Sequence, residues 1–119
     1  MAPKFSKQDH EGPSLRAAAG REARQRLVER ADSAVTVSRW CEAELLTTAR
    51  DMTIAAGEAL LPELGVASVT ELSESQAKRW RACAKSAVAS ELNALTGWGI
   101  QSCHDRVGLS LRPGRSPTV

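Results

Sequence analysis

The chain has 119 residues, of which 42% are hydrophobic, and it carries three cysteines and a formal net charge of +2. This length allows at most one domain, and three widely spaced cysteines argue against a secreted disulfide framework. No apolar run reaches the ~18–20 residues of a membrane helix, and the charged N-terminus lacks the apolar core of a secretory signal. We therefore expect a cytoplasmic protein, or one in a host cytoplasm, that makes no membrane contact.

The first elements of the chain are predicted to be an arm and a basic helix. Residues 1–13 mix charge with proline and glycine, and we expect a flexible arm. A helix should follow Ser14, a residue type favoured at N-caps. Its apolar residues recur at four-residue steps and form one stripe. The sequence leaves open whether residues 15–61 form one bent helix or two, and we favour a break or bend near residues 32–33. The residues of the stripe are Leu15, Ala19, Ala23, Leu27 and Ala31.

Two longer helices, at about 38–61 and 71–96, are predicted to form a helical hairpin. Ala and Leu dominate the hydrophobic residues, Tyr is absent and Phe occurs once, which favours helices over strands. The first hairpin helix has a main apolar face and a second apolar side with Leu46, Ile54 and Leu61. Such a helix must be covered on two sides. The proline and glycine that follow should end it.

The second hairpin helix has the clearest start signal, because Ser68 with Glu71 and Ser73 with Gln76 both fit a capping box. A short C-terminal helix is predicted over about 98–107, ending at the glycine that follows. Residues 112–119 contain two prolines and a glycine, and we expect a disordered tail. The predicted fold class is all-α, a small helical bundle built on the hairpin in a single domain of residues 14–111.

Charge is sorted along the chain. Residues 1–30 carry seven basic and four acidic residues, residues 31–77 two and eight, and residues 78–119 seven and two, which gives +3, −6 and +5. This asymmetric charge distribution is informative about binding partners and not about the fold. It suits a nucleic acid, and it equally suits basic ends that dock on the acidic middle of a second copy. A homodimer is expected, since an Ala-rich interior buries little apolar area per residue.

The first candidate site is a basic face on the second hairpin helix. Its three cations fall within about 60° on a helical projection, beside small residues that allow close approach to a phosphate backbone. Arginines of the first helix add groups suited to phosphate, although a charged, solvated face is the plain alternative. Few aromatic residues are available for base stacking, which favours a duplex backbone. The predicted contacts are Arg21, Arg24, Lys78, Arg81, Lys85 and Ser86.

The second candidate function is a protein-protein interaction module, an inhibitor or adaptor from a phage, virus or plasmid. The composition, low in Tyr, Phe and Ile and rich in Ala, Arg and Ser, motivates this origin. An exposed apolar helix face formed by Trp40, Leu46 and Ile54 would dock the partner.

We expect no enzymatic activity, no cofactor and no metal site. The cysteines and His104 lack Cys-x₂-Cys spacing, and adjacent side chains such as Cys103 and His104 diverge. Glycine-rich phosphate loops are absent from the sequence. Cys41 and Cys83 are predicted to be small core hydrophobes.

Overall fold

A computed structural model of the chain describes residues 13–112, which contain five α-helices and no strand. The helices are α1 (Pro13–Val28), α2 (Ala34–Ser38), α3 (Glu42–Glu63), α4 (Glu74–Thr96) and α5 (Ile100–Ser110). A 3₁₀ turn, Val69–Glu71, precedes α4. The predicted all-α fold class and helical bundle are confirmed. Apart from Pro13 and Arg112, the predicted arm and tail lie outside the described residues.

The helices pack around an alanine-rich core within the single chain. Helices α3 and α4 form the hairpin, α1 packs against both of them, and α5 also contacts both. Ala19, Ala23 and Ala56 are fully buried, and their small side chains let the helices approach closely. Larger side chains such as Met52 and Leu92, also fully buried, fill the remaining space. The bundle therefore has a hydrophobic core of its own.

The break predicted near residues 32–33 is confirmed. Helix α1 ends at Val28, and α2 begins after Ser33, whose hydroxyl accepts a hydrogen bond from the Thr36 backbone N–H at 3.4 Å. Such a cap satisfies one of the free N–H groups at a helix start. The helix predicted over about 38–61 begins later, at Glu42, because the short helix α2 ends at Ser38 and a turn separates it from α3.

Helix α3 passes through Pro62, contrary to the prediction that this residue stops it. In the last turn a proline removes only one intrahelical hydrogen bond, so the helix continues to Glu63. It ends in a Schellman motif, in which the Val66 N–H donates to the Leu61 carbonyl at 3.1 Å. Gly65 has the left-handed φ of +77° that this motif requires.

Of the two predicted capping boxes, the one formed by Ser73 and Gln76 starts α4, whereas Ser68 caps the preceding 3₁₀ turn. The Gln76 N–H donates to the Ser73 hydroxyl at 3.2 Å, and the Ser73 N–H donates to the Gln76 side-chain oxygen at 2.8 Å. The helix begins three residues later than predicted because the 3₁₀ turn occupies the preceding segment. It ends at Gly97, with a φ of +78°, as predicted.

Helix α5 is shifted from the predicted range of 98–107 to Ile100–Ser110. The Asn93 side chain donates to the Trp98 carbonyl at 2.6 Å, and the Trp98 N–H donates to the Thr96 hydroxyl at 3.1 Å. These bonds hold Trp98 in the turn and delay the start of the helix. Gly108 lies inside α5 rather than ending it.

Candidate nucleic-acid interface

Three basic residues lie on one side of the N-terminal half of α4, as the sequence predicted. Lys78 and Arg81 are exposed, and Lys85 is half-buried. Within residues 13–112 the ion pairs lie elsewhere, one inside α1 and one between the segment after α1 and α3. The three cations therefore have no described carboxylate partner. We call Lys78, Arg81 and Lys85 the basic face.

The arginines of the N-terminal region differ in what they contact. Arg26 pairs with Glu22 at 3.3 Å, and Arg30 pairs with Asp51 of α3. Arginines that are already in ion pairs contribute less to the binding of an external ligand. The predicted contacts Arg21 and Arg24 are exposed on α1.

Ser86 lies apart from the basic face, contrary to the prediction. It lines a shallow depression of about 280 Å³ together with Arg16, Arg79 and Ala82. Successive residues of a helix are separated by about 100°, so Ser86 points away from Lys85. The structure thus brings Arg16, rather than Arg21 or Arg24, to the surface of α4. Arg16 belongs to the arginines of the first helix that were expected to contact phosphate, but its place beside α4 was not predicted, because a helical projection does not show which helices pack together.

A larger groove of about 590 Å³ lies between α3 and α4, next to the basic face. Ile54 and Leu61 contribute to its α3 wall, and Trp80, Arg81 and Lys85 contribute to its α4 wall. Two of the three cations of the basic face therefore also line this groove. We call it the α3–α4 groove.

Trp80 and Gly57 form the closest contact across the α3–α4 groove. The Trp80 Nε1–H donates to the Gly57 carbonyl at 2.7 Å. A Cβ atom on Gly57 would lie 2.9 Å from Trp80 Cζ2, so only glycine allows the indole this close. Trp80 also packs against the core. Its hydrogen bond was missed, although a glycine within a helix is the usual signal of close approach.

The apolar docking face predicted from Trp40, Leu46 and Ile54 is not a single exposed surface. Leu46 is only 5% exposed, because it lies against α5 in a depression that Trp98 and Trp40 also line. Trp40 is half-buried and packs against the core. Ile54 is 47% exposed and remains available on the wall of the α3–α4 groove.

The three cysteines lie in three different environments. Cys41 is exposed at the N-cap of α3, contrary to its predicted core position, because the chain turns there between α2 and α3. Cys83 is half-buried and packs against the core. Cys103 is fully buried, and this burial raises the pKa of its thiol, while the nearby Arg106 guanidinium partly opposes the shift. Residues 13–112 contain no group of three His, Cys, Asp or Glu side chains that could hold a metal ion.

Trp98 and Arg106 stack at the start of α5. The Arg106 guanidinium carbon lies 4.8 Å from the centre of the Trp98 ring, a cation-π distance. Arg106 also donates to the Ser102 hydroxyl. This arginine is therefore engaged within the protein, unlike the cations of the basic face.

No protein-family model, curated protein or solved structure matches the chain. In the part of the chain that the structure describes, none of the helices has the length and apolar character needed to cross a membrane. The function is therefore inferred from the chemistry of the surface described above.

Proposed function

We propose that this protein is a small, non-enzymatic accessory or regulatory protein of the cytoplasm that binds the backbone of a duplex nucleic acid. The observation that supports the proposal is the basic face of α4. Its three cations share one side of a helix and have no carboxylate partner among the described residues. Charges left uncompensated in this way attract a polyanion and discriminate little between sequences.

The spacing of the basic face suits a phosphate backbone. Lys78 and Lys85 are seven residues apart, which corresponds to about 10 Å along a helix axis. One strand of a duplex carries a phosphate for every ~3.4 Å of axis, so this length matches about three phosphates. Arg81, between the two lysines, can donate two hydrogen bonds to one phosphate.

The positions of the tryptophans support a duplex rather than a single strand. Binding of single strands without sequence preference relies on aromatic rings that stack on bases. Trp80 donates to Gly57 and is half-buried, and Trp98 stacks with Arg106. Since both rings are engaged within the protein, base stacking contributes little to the proposed complex.

The proposal is tested by fluorescence anisotropy with labelled duplex DNA, duplex RNA and single strands over a salt titration. We expect duplex binding that weakens steeply with salt and is lost in the Lys78→Glu, Arg81→Glu, Lys85→Glu variant. Circular dichroism checks that this variant is folded. Retained binding by the folded variant would overturn the proposal.

A charge-matched comparison separates a specific face from net charge. Reversal of Lys78 and Arg81 to Glu changes the net charge by as much as reversal of Arg39 and Arg50, which are exposed elsewhere. We expect the first variant alone to lose most of its affinity. Equal losses would mean that binding follows net charge and not the basic face. A further double reversal of Arg21 and Arg24 tests whether α1 takes part.

A second candidate function, docking of a protein partner, is favoured by the exposure of Ile54 on the α3–α4 groove. The sorted charge of the chain also makes a homodimer a reasonable proposal. Light scattering at low and high salt tests the homodimer, since a charge-driven dimer dissociates as salt rises. Recovery of the same protein partner by wild-type protein, but not by an Ile54→Asp variant, would favour the docking function.

A further inference from the structure

The α3–α4 groove is a short site lined by α3, α4 and the segments that follow α3 and α5. Leu111, which follows α5, contributes to its lining, and so do Ala67 and Val69 of the segment after α3. On the α3 side its lining runs from Thr53 to Leu61, a distance of about 12 Å along the helix. Its volume of about 590 Å³ lies within the ~300–1,000 Å³ range of small-molecule sites.

The neutral polar side chains of the groove already have partners inside the protein. The Thr53 hydroxyl donates to a backbone carbonyl one turn earlier at 2.7 Å. The Ser68 and Thr70 hydroxyls are hydrogen-bonded at 3.0 Å, and the Trp80 indole donates to Gly57. A sugar, a base or an extended peptide would leave its own polar groups unsatisfied there, at a cost in free energy. The body of a ligand must therefore be apolar.

Charge in the groove is confined to three side chains. Arg81 and Lys85 line the groove from α4, and Glu58 lines it from α3. No ion pair joins Glu58 to either cation in residues 13–112. Two cations on one wall, against one carboxylate from the other helix, favour a ligand with an anionic head held at α4.

We propose that the α3–α4 groove binds a small amphipathic carboxylate, with a flexible hydrocarbon body and one anionic head, as in a medium-chain fatty acid. The hydrocarbon lies along Ile54, Leu61 and Trp80, and the carboxylate accepts hydrogen bonds from Arg81 and Lys85. A partner helix fits less well, because the α3 lining, about 12 Å long, matches only about two helical turns.

The site also has a regulatory consequence, which rests on the proposed function. Arg81 and Lys85 belong both to the groove and to the basic face. A carboxylate bound to them occupies two of the three cations that would contact phosphate and lowers their net charge by one. Ligand and duplex therefore compete, and each weakens the binding of the other.

The test uses the full chain and two probes that share a hydrocarbon but differ in head charge, dodecanoate and dodecyltrimethylammonium. Both are titrated below their micelle concentrations by calorimetry and by ¹H–¹⁵N NMR. We expect saturable binding of one dodecanoate, with shifts centred on Ile54 and Trp80, and much weaker binding of the cationic probe. Absence of saturable binding, or equal affinity for both probes, would overturn the proposal.

Matched double variants assign the head-group contact. We expect Arg81→Ala with Lys85→Ala to weaken dodecanoate binding about tenfold or more, the loss typical of charge-assisted hydrogen bonds. Arg21→Ala with Arg24→Ala removes the same charge from α1 and should leave the affinity unchanged. Equal effects of the two variants would contradict the assignment. Shifts at Ile54 on dilution of the protein alone would mean that a second copy covers the groove, which would also overturn the proposal.

The two proposals can fail separately. Dodecanoate binding is measured without nucleic acid, so it survives if the protein binds no duplex. Duplex binding is measured without dodecanoate, so it survives if the groove binds no carboxylate. If both ligands bind, saturating dodecanoate should raise the apparent Kd for the duplex. An unchanged Kd would overturn the competition while leaving both binding sites in place.

Discussion

The surface between α3 and α4 has two halves. Helix α5 covers one of them, the covered half, and the other, the open half, is the α3–α4 groove. Under α5, Leu46 is 5% exposed, and Cys103 and Val107 of α5 are fully buried. Beyond the end of α5, Ile54 is 47% exposed on the wall of the α3–α4 groove. Leu46 and Ile54 were assigned to the same side of one helix, yet one is in the protein interior and the other on its surface. The difference arises from the length of α5 and not from the amphipathic pattern of α3.

Truncation of Leu46 and of Ile54 to alanine should give the largest difference in the free energy of unfolding. We expect Leu46→Ala to lower the free energy of unfolding by about 2–4 kcal/mol, because it leaves a cavity beneath α5. Ile54→Ala removes an already solvated group, and its effect should stay below about 1 kcal/mol. Urea denaturation of both variants measures the difference. Similar losses would mean that the two halves are covered alike.

Thiol labelling sharpens the same comparison. Cys103 is fully buried in α5, and burial raises the pKa of its thiol, so less of the reactive thiolate is present at a given pH. Cys41 is exposed. We expect Cys41 to react with a maleimide at least about a hundredfold faster than Cys103, whose labelling requires α5 to open. Mass spectrometry of a time course measures both labelling rates. Equal rates would contradict the claim that Cys103 is shielded from solvent in the covered half.

Glycine substitution tests the close contact between Gly57 and Trp80 in the α3–α4 groove. We expect Gly57→Ala to cost about 1–3 kcal/mol, because its Cβ would lie 2.9 Å from the Trp80 ring. Gly108→Ala is the matched control, since its Cβ would meet nothing within 4 Å. The control should gain about 0.5–1 kcal/mol from helix propensity. Thermal unfolding measures both, and a neutral Gly57→Ala would show that the indole can move aside.

The fold could be predicted from the sequence largely where local signals act. The capping box at Ser73 and the left-handed glycine at Gly97 set the ends of α4 through bonds within a few residues. The passage of α3 through Pro62 was not foreseen, because its position in the last turn depends on the Schellman motif that follows. The late start of α5 depends in the same way on hydrogen bonds around Trp98.

The candidate site could be predicted only in part. The basic face lies on a single helix, so its angular grouping follows from sequence spacing. Ser86 lies about 100° from Lys85 on the same helix and is therefore apart from the basic face. Leu46 was misassigned because its exposure depends on how the helices pack. The α3–α4 groove is formed by Ile54 and Trp80 from two helices, and no pattern within either helix indicates that they meet.

The smallest expected effect concerns the start of α4. Ser73→Ala removes the side-chain half of the capping box and should cost about 1 kcal/mol. Ser90→Ala, at an exposed position later in α4, should change stability by less than about 0.5 kcal/mol. Urea denaturation compares the two. Equal effects would mean that the cap contributes nothing to α4.

The most direct test of the account is the salt dependence of duplex binding. For three neutralised phosphates the slope of log K against log salt is about −2.7. We expect alanine at Lys78, Arg81 and Lys85 to reduce the slope by about that amount, whereas alanine at Arg39 and Arg50 leaves it unchanged. An unaltered slope in the triple variant would show that the basic face does not contact the backbone.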